Sequence, residues 1–368
     1  MTGTDRPCGM NGGEGGEALR NDMGLQGAAL RQLAADTSLR QALSRVSSVL
    51  LTQQRVVFSG VGASLHAAEI IAARFRARGL MAWALNAAEL VHHTPDLHGA
   101  PLVLISQSGG SIEVVKAARA HAGQAPTWCI TLNPEASLPH VTPLVMPGGD
   151  ERGYAATRSF TSTLAVGESL LELCLRGRAG AERVPDGAEW PTAVDWRSVA
   201  DDVEQANAGL AGTAASAVGR LAGATALLFT GRGALAGVAA YGALITMELA
   251  RRPAFSLESA MVRHGPLEAF GPELALVVLR QADAVAPLVS NLAALAQAYD
   301  SPTVLVHVGD PHDGPGDPEP VVAARARSPI AALLVQCVAM QHIAIGLSEA
   351  RGLTPGEETR GSKVTRVE

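Results

Sequence analysis

The sequence lacks the features that mark membrane, secreted and nucleic-acid-binding proteins. No stretch of about 18 uninterrupted apolar residues occurs along the 368 residues, and the N-terminus has no apolar signal core. Basic runs are also missing: the net charge is −6 and the charges are scattered, which argues against nucleic acid or an anionic membrane as partner. The four cysteines lie far apart without metal-ligand spacing, as expected for thiols in a reducing compartment. We therefore expect a cytoplasmic protein.

What the chain does contain is a strand followed at once by a polar loop at residues 102–111, Leu-Val-Leu-Ile-Ser-Gln-Ser-Gly-Gly-Ser. The hydroxyls of Ser106, Ser108 and Ser111 can donate hydrogen bonds, and the two glycines let backbone N–H groups approach a ligand. A helical pattern begins at Ile112, so the loop leads into a helix N-terminus, which suits a phosphate. The alternative is a serine-rich turn that only caps the helix.

Strands and helices alternate around this loop. Short apolar runs begin at residues 55, 81, 102, 127 and 143, and helical patterns separate them. This order predicts a doubly wound parallel sheet, in which ligands bind outside the carboxyl ends of the strands. Two amphipathic helices are predicted before the first strand, between residues 19 and 51.

An internal repeat predicts a second domain of the same kind. Phe58-Ser-Gly-Val-Gly-Ala recurs as Phe229-Thr-Gly-Arg-Gly-Ala, at an offset of 171 residues (229 − 58). The loop after residue 276 has Arg280 and Ala282 in place of the two serines, so only the first copy keeps the phosphate loop. We predict an α/β protein of two tandem flavodoxin-like domains. Their bounds are a disordered tail at 1–18, a first domain at 19–180, a linker near 176–187, a second domain at 190–350, and a tail at 351–368 that closes the site.

A dinucleotide-binding enzyme is an alternative interpretation of the first glycine turn. Gly60 and Gly62 follow a strand and open a helix, as in the nicotinamide and flavin fingerprint. The third glycine is missing, because Ala63-Ser64-Leu65 stands there. In a sheet of this kind Ser64 falls at the same edge as the Ser106 loop.

Three ionisable residues in the second half are candidates for chemistry. Glu248 lies among apolar residues of a helix, a setting that raises a carboxylate's pKa and suits it to proton transfer, although a solvated helix end is the alternative. His264 is on a Gly-Pro turn, where an imidazole can titrate near neutrality, or it is a surface-loop histidine. Lys363 would reach a carbonyl substrate if Val364 and Val367 dock the tail, and a partly desolvated lysine is a Schiff-base candidate.

These motifs together resemble the sugar isomerase (SIS) family, in particular the two-domain type found in the isomerase half of glucosamine-6-phosphate synthase and in amino-sugar-phosphate deaminases and deglycases. The resemblance rests on Ile105-Ser-Gln-Ser-Gly with Ser111, on Glu248 sixteen residues before His264-Gly-Pro, and on a lysine five residues from the chain end. The segment at 155–161, Ala-Ala-Thr-Arg-Ser-Phe-Thr, is similar to a family segment near the sugar.

The resemblance implies a role for each of these residues. Glu248 would move the proton between C1 and C2, His264 would open the ring from the neighbouring subunit of a homodimer, and Lys363 would contact the open-chain carbonyl or form an imine with it. The residues implied to hold the 6-phosphate are Ser64, Ser106, Gln107, Ser108 and Ser111. Further candidates for substrate contact are Gly62, Ala156, Thr157, Tyr241 and Glu258. No metal or organic cofactor is implied.

Departures from the synthase pattern guide the functional hypothesis. Tyr241 stands in place of a glutamate, and Ile245 and Met247 stand in place of lysines. Because Thr2 is not a nucleophilic cysteine, we expect no glutamine-dependent synthesis. The hypothesis is an enzyme that opens a 6-phosphorylated amino sugar and isomerises it with release of ammonia. The alternatives are an aldose–ketose phosphate isomerase, a ketosamine-6-phosphate deglycase, and a non-catalytic sugar-phosphate sensor.

Overall fold

The computed structural model describes residues 12–93, 95–136, 138–179, 194–309, 318–319, 321–358, 360 and 363–365, with side chains from residue 15 onward. The helices are α1 (Gly12–Gly24), α2 (Gln26–Ala35), α3 (Thr37–Gln53), α4 (Ala63–Ala77), α5 (Ala87–His92), α6 (Ile112–Ala120), α7 (Arg158–Arg178), α8 (Trp196–Leu221), α9 (Ala234–Ala250), α10 (Ser259–Val262), α11 (Ala286–Ala298) and α12 (Pro329–Glu349). The strands are β1 (Arg55–Gly60), β2 (Met81–Asn86), β3 (Leu102–Ile105), β4 (Thr127–Thr131), β5 (Thr142–Val145), β6 (Ala226–Gly231), β7 (Ala254–Glu258), β8 (Leu274–Gln281), β9 (Thr303–Val308) and β10 (Val322–Ala324).

The strands form two parallel five-stranded sheets. Their orders are β2-β1-β3-β4-β5 and β10-β9-β8-β6-β7, so the second sheet has the strand order of the first when it is read from β7. The predicted α/β architecture with parallel sheets is confirmed, and the five strands predicted in the first half lie within one or two residues of the observed bounds. The proposal that the halves are copies of one domain stays a prediction.

The glycine turns of the two halves have matching backbone geometry. Gly62 has φ 54° and ψ −131°, and Gly233 has φ 57° and ψ −126°. A Cβ on Gly60 would lie 2.7 Å from the Cβ of Ser64, and one on Gly231 would lie 2.7 Å from the carbonyl oxygen of Leu235. Both strands therefore pass directly against the first turn of the following helix, which only glycine allows.

The largest core lies where helices of the two halves pack together. Helix α4 packs against α9, and α12 packs against α8 and α9. Side chains alternate along the buried strands: Phe58 belongs to this core, whereas Val57 belongs to a smaller cluster that includes Leu102 and Val114. Helix α12 is long and apolar enough to span a membrane, yet 89% of its most apolar window is buried inside the protein. It is the central helix of the core.

The N-terminal region differs from the prediction. The disordered tail predicted for residues 1–18 is wrong for residues 12–18, which belong to α1, and residues 1–11 lie outside the described residues. The reason is a tertiary contact: a Cβ on Gly15 would lie 2.8 Å from the carbonyl oxygen of Gly356, and Leu19 has no exposed surface. From residue 12 onward, where the structure describes the chain, three helices precede β1 instead of two. The predicted linker at 176–187 is helical up to Arg178, and residues 180–193 are outside the described part.

Candidate active site

The serine loop joins the end of β3 to the start of α6. Ser106 is 2% exposed, and its Oγ has no hydrogen-bond partner among the described residues. Ser108 is half-buried, and its Oγ accepts a hydrogen bond from the Gly110 N–H at 3.1 Å. Ser111 is the residue before the helix, and its side chain does not cap it. Capping therefore does not explain these hydroxyls, and a ligand bound at the helix N-terminus would find them available.

The neighbouring strand β4 fixes the backbone of this loop. The carbonyl oxygen of Gln107 accepts hydrogen bonds from the Leu132 N–H at 3.0 Å and from Thr131 Oγ1 at 3.1 Å. The side chain of Asn133 donates to the carbonyl oxygen of Ser108 at 3.1 Å. Gly109 has φ 67°, and a Cβ there would overlap Ala136. These contacts hold the loop in one shape through its backbone, and only the Ser108 hydroxyl adds a hydrogen bond within the loop, from the Gly110 N–H.

Ser64 lies at the same edge of the first sheet. Strands β1 and β3 are adjacent and parallel, with Ser59 opposite Leu104, so both carboxyl ends open on the same side. From β1 the chain continues to β2 on one side and later to β3 on the other side, so the strand order changes direction between β1 and β3. Ligands bind at such a point in doubly wound sheets. Gly62 is exposed in the turn after β1, and Ser64 is half-buried in the first turn of α4. The predicted phosphate-binding residues therefore come from two loops at one crevice.

The C-terminal tail lies on this crevice. The carbonyl oxygen of Thr365 accepts a hydrogen bond from the Ile112 N–H at 3.1 Å, and Val364 lies beside Gly110. Lys363 Nζ donates to the carbonyl oxygen of Glu151 at 2.8 Å and to the carbonyl oxygen of Gly153. These contacts bring the predicted lysine to the serine loop, although the two are about 250 residues apart in sequence.

Glu248 projects from the last turn of α9 and is half-buried. Burial raises its pKa from 4.5 to about 7, and the positive charge of Lys363 acts in the opposite direction. Glu248 is therefore not at a freely solvated helix end, which was the alternative interpretation of the sequence. A carboxylate with a pKa near neutrality is suited to taking up and returning a proton.

Two site residues were not found by sequence reasoning. Glu151 is 3% exposed, and its carboxylate contacts Lys363 Nζ at 3.4 Å. Tyr154 is half-buried, and its pKa is raised mainly by burial and further by the negative charges of Glu248 and Glu358. Both precede the segment at 155–161 by a few residues. No local pattern distinguishes them from ordinary loop residues, because their environment comes from the tail and from α9.

Tyr241 does not face the crevice, contrary to the prediction of a substrate contact. Its side chain has no exposed surface and stacks on Phe160, with ring centroids 3.8 Å apart. Its hydroxyl donates to the carbonyl oxygen of Ala156 at 2.7 Å and accepts from Gln341 Nε2 at 3.1 Å. Both hydrogen-bonding roles of the phenol are thus used inside the protein. Tyr241 fixes the backbone at Ala156 rather than binding a ligand.

The side chain of Thr157 also points inward. It is 1% exposed, and its N–H donates to Glu151 Oε1 at 3.0 Å, with Oγ1 at 3.4 Å from the same oxygen. The prediction of direct substrate contact is therefore wrong for the Thr157 side chain in this structure. Its contribution is to hold Glu151.

Glu258 ends β7 in the second sheet and His264 lies on the turn after α10; within the described part of the chain, no contact joins either residue to the serine loop. Glu258 caps α10, accepting from the Ala260 N–H at 2.6 Å, and lies 3.8 Å from Arg232 Nε. His264 is exposed on the turn after α10, and only its backbone N–H is bonded, to the carbonyl oxygen of Met261 at 3.0 Å. Among the described residues no contact links His264 to Glu248 or Lys363.

The sequence and the fold are both similar to those of known proteins. Residues 49–173 match the model of the SIS domain. The chain is 28% identical over 294 residues to the glutamine–fructose-6-phosphate aminotransferase [isomerizing] of Mycolicibacterium smegmatis, covering 77% of this chain and 46% of the relative. The chain thus spans about half the length of the curated relatives it matches.

Two solved structures share the fold over nearly the whole chain. The tagatose-6-phosphate ketose/aldose isomerase of Escherichia coli has a TM-score of 0.75 at 23% identity, covering 96% of this chain and 97% of that one. The glucosamine-6-phosphate deaminase of Thermotoga maritima has a TM-score of 0.67 at 19% identity, covering 89% of this chain and 97% of that one. The match to the SIS domain thus covers residues 49–173, and the chain as a whole shares the fold of these solved structures.

Proposed function

We propose that this protein is a cytoplasmic enzyme that isomerises a 6-phosphorylated amino sugar, similar to glucosamine 6-phosphate, and releases its amine as ammonia. The single observation that carries the proposal is the position of the tail. Thr365 contacts the first residue of α6 at the serine loop, while Lys363 lies close enough to Glu248 to affect its pKa. These contacts support a site in which a phosphate-binding loop, a proton-transfer carboxylate and a cationic donor share one crevice.

The proposed reaction follows from these groups. Ser64 and the serine loop hold the phosphate, which places C1 and C2 of the opened sugar beside Glu248. Glu248 takes the proton from C2 and returns it to C1 through an enolamine, and Lys363 stabilises the negative charge that develops on the carbonyl oxygen. One proton of the amine passes to the C1 oxygen, which leaves an imine at C2, and water hydrolyses this imine to the ketose phosphate and ammonia. His264 of a second subunit would open the ring, so the proposed assembly is a homodimer.

The test is to incubate the protein with glucosamine 6-phosphate and to measure ammonia and fructose 6-phosphate. Equal amounts of both products support deamination. Aldose–ketose conversion without ammonia would support the isomerase alternative, which the shared fold with the tagatose-6-phosphate isomerase favours. Binding of the sugar phosphate without either product would support the sensor.

Replacing Ser106 with alanine should weaken substrate binding without weakening the fold. The Ser106 hydroxyl is buried and unpartnered among the described residues, so its removal leaves no other group unsatisfied. We expect KM for the sugar phosphate to rise about tenfold, as for one lost hydrogen bond to a charged group. Thermal unfolding should stay within about 2 °C of the wild type.

Ser169→Ala is the matched control for this prediction. Ser169 is also a buried serine whose hydroxyl has no partner among the described residues, but it lies in the middle of α7. Its loss should leave KM unchanged. An equal rise of KM in both variants, or no rise in Ser106→Ala, contradicts the assignment of the phosphate site.

A further inference from the structure

Glu151 is a buried carboxylate that the family resemblance does not assign. It precedes α7, and its Oε1 accepts hydrogen bonds from the N–H groups of Thr157 and Ser159, each at 3.0 Å. Its Oε2 accepts from Ser159 Oγ at 2.5 Å and lies 3.4 Å from Lys363 Nζ. Burial of a carboxylate is unfavourable unless it is bonded on all sides, and here the start of α7 supplies that bonding. One oxygen is therefore fixed by the fold, and the other faces the tail.

Lys363 directs all its donors to this one turn. An ammonium group has three N–H donors and no acceptor. In the structure its partners are the carbonyl oxygen of Glu151 at 2.8 Å, the carbonyl oxygen of Gly153, and Glu151 Oε2. These three acceptors, one of them anionic, match the three donors of the ammonium group. The turn at 151–153 is thus an ammonium site.

The same contact sets the position of the tail on the serine loop. Thr365 lies two residues after Lys363, a span of roughly 7 Å in extended chain. Its carbonyl oxygen accepts from the Ile112 N–H, one of the donors left unpaired at the start of α6. Because the two contacts are so close along the chain, releasing Lys363 from Glu151 would also loosen Thr365 from Ile112.

We propose that Glu151 is a positioning residue, which anchors Lys363 at the turn 151–153 and so orients it as a hydrogen-bond donor to the carbonyl oxygen of the opened sugar. The inference rests on the proposed function. On substrate binding, the carbonyl oxygen of the opened sugar replaces one of the backbone acceptors of Lys363. Lys363 then stabilises the charge that develops on that oxygen while Glu248 moves the proton.

A double-mutant cycle between Glu151 and Lys363 tests this coupling. Glu151→Gln keeps an acceptor for Thr157 and Ser159 but presents an amide to the lysine. We expect Glu151→Gln and Lys363→Met each to lower kcat about 10- to 100-fold, with KM changed less than about threefold, since the lost interaction is made in the transition state. The double variant should be no slower than the slower single variant. Losses that multiply in the double variant would overturn the proposal.

Glu168→Gln is the matched control for a general effect of removing a buried carboxylate. Glu168 is 4% exposed and pairs with Arg74 on the opposite side of α7 from this turn's contacts. Its loss should affect unfolding and leave kcat within about twofold of the wild type.

Hydrogen exchange separates failure of this inference from failure of the proposed function. In Glu151→Gln the amide of Ile112 should exchange at least about tenfold faster than in the wild type, because Thr365 no longer stays in place. Unchanged exchange would overturn the inference even if the enzyme is active. If the wild type converts no sugar phosphate, the proposed function is overturned. Faster exchange of the Ile112 amide in Glu151→Gln would then still support the positioning of the tail by Glu151.

Discussion

Glu248→Gln is expected to lower kcat about a thousandfold while leaving KM nearly unchanged, the size of effect seen when a general acid–base group is removed. Glutamine has the shape of the protonated acid but cannot take a proton from carbon. The proposed phosphate site is the serine loop and does not include residue 248, so binding should persist. The measurement is steady-state formation of fructose 6-phosphate and ammonia from glucosamine 6-phosphate.

The control is Glu172→Gln on α7. Glu172 is also a buried carboxylate, 6% exposed, but its ion-pair partner is Arg78 at 3.4 Å, and neither residue is one of the proposed site residues. Activity should stay within about twofold of the wild type. If Glu248→Gln retains more than about a tenth of the wild-type kcat, proton transfer by Glu248 is contradicted.

The raised pKa of Glu248 gives the pH dependence a definite sign. A base must be deprotonated to act, so kcat/KM of the wild type should rise with pH up to about 7 and then level off. The Glu248 carboxyl binds its proton more tightly in the folded protein, where its pKa is about 7, than in the unfolded chain, where its pKa is 4.5. The Glu248 contribution to the free energy of unfolding is therefore complete below pH 4.5 and is lost as pH rises towards 7.

Glu248→Gln removes that titration. We expect the variant to be more stable than the wild type by about 1–3 kcal/mol at pH 8, and of similar stability at pH 4, by the linkage of pKa to folding. Urea unfolding at the two pH values measures this difference. A stability difference that is equal at both pH values would contradict the burial of the charged carboxylate.

The sequence predicted the parts of the fold that depend on local patterns. Strand β3 was predicted at its observed bounds because a run of four apolar residues ends in a polar turn, and parallel pairing then fixed which edge carries Ser64 and Ser106. Helix α1 was missed because its glycine-rich start has low helix propensity. The 354–356 segment, more than 300 residues later in the chain, packs against it.

The incorrect predictions for the site have the same cause, since they concern residues whose environment depends on contacts that are distant in the sequence. Tyr241 aligned with a polar position of the family pattern, yet the ring of Phe160 and the amide of Gln341 give it a fully internal environment. Glu151 has no recognisable spacing from Lys363, since the two residues are brought together only by the docked tail. Local periodicity shows which residues begin a loop. It does not show which buried carboxylate a distant lysine will contact.

The predicted sharing of the site between subunits can be tested by mixing two inactive variants. Glu248 and Lys363 belong to one chain's crevice, whereas His264 lies on an exposed turn of the second sheet with no contact to either. If His264 acts across a dimer interface, a dimer of one Glu248→Gln chain and one His264→Gln chain has one complete site. Random exchange of subunits should therefore restore about a quarter of the wild-type activity, from a mixture in which each variant alone is nearly inactive.

A mixture of Glu248→Gln with Lys363→Met chains provides the control for this complementation. Both substitutions damage the crevice of their own chain, so every site in the mixed dimer lacks one group and activity should stay at the level of the separate variants. The contrast between the two mixtures depends only on which chain supplies each residue. Recovery in neither mixture, with subunit exchange demonstrated by mass labels, would place His264 in its own chain's site or outside catalysis, and would contradict the shared-site homodimer.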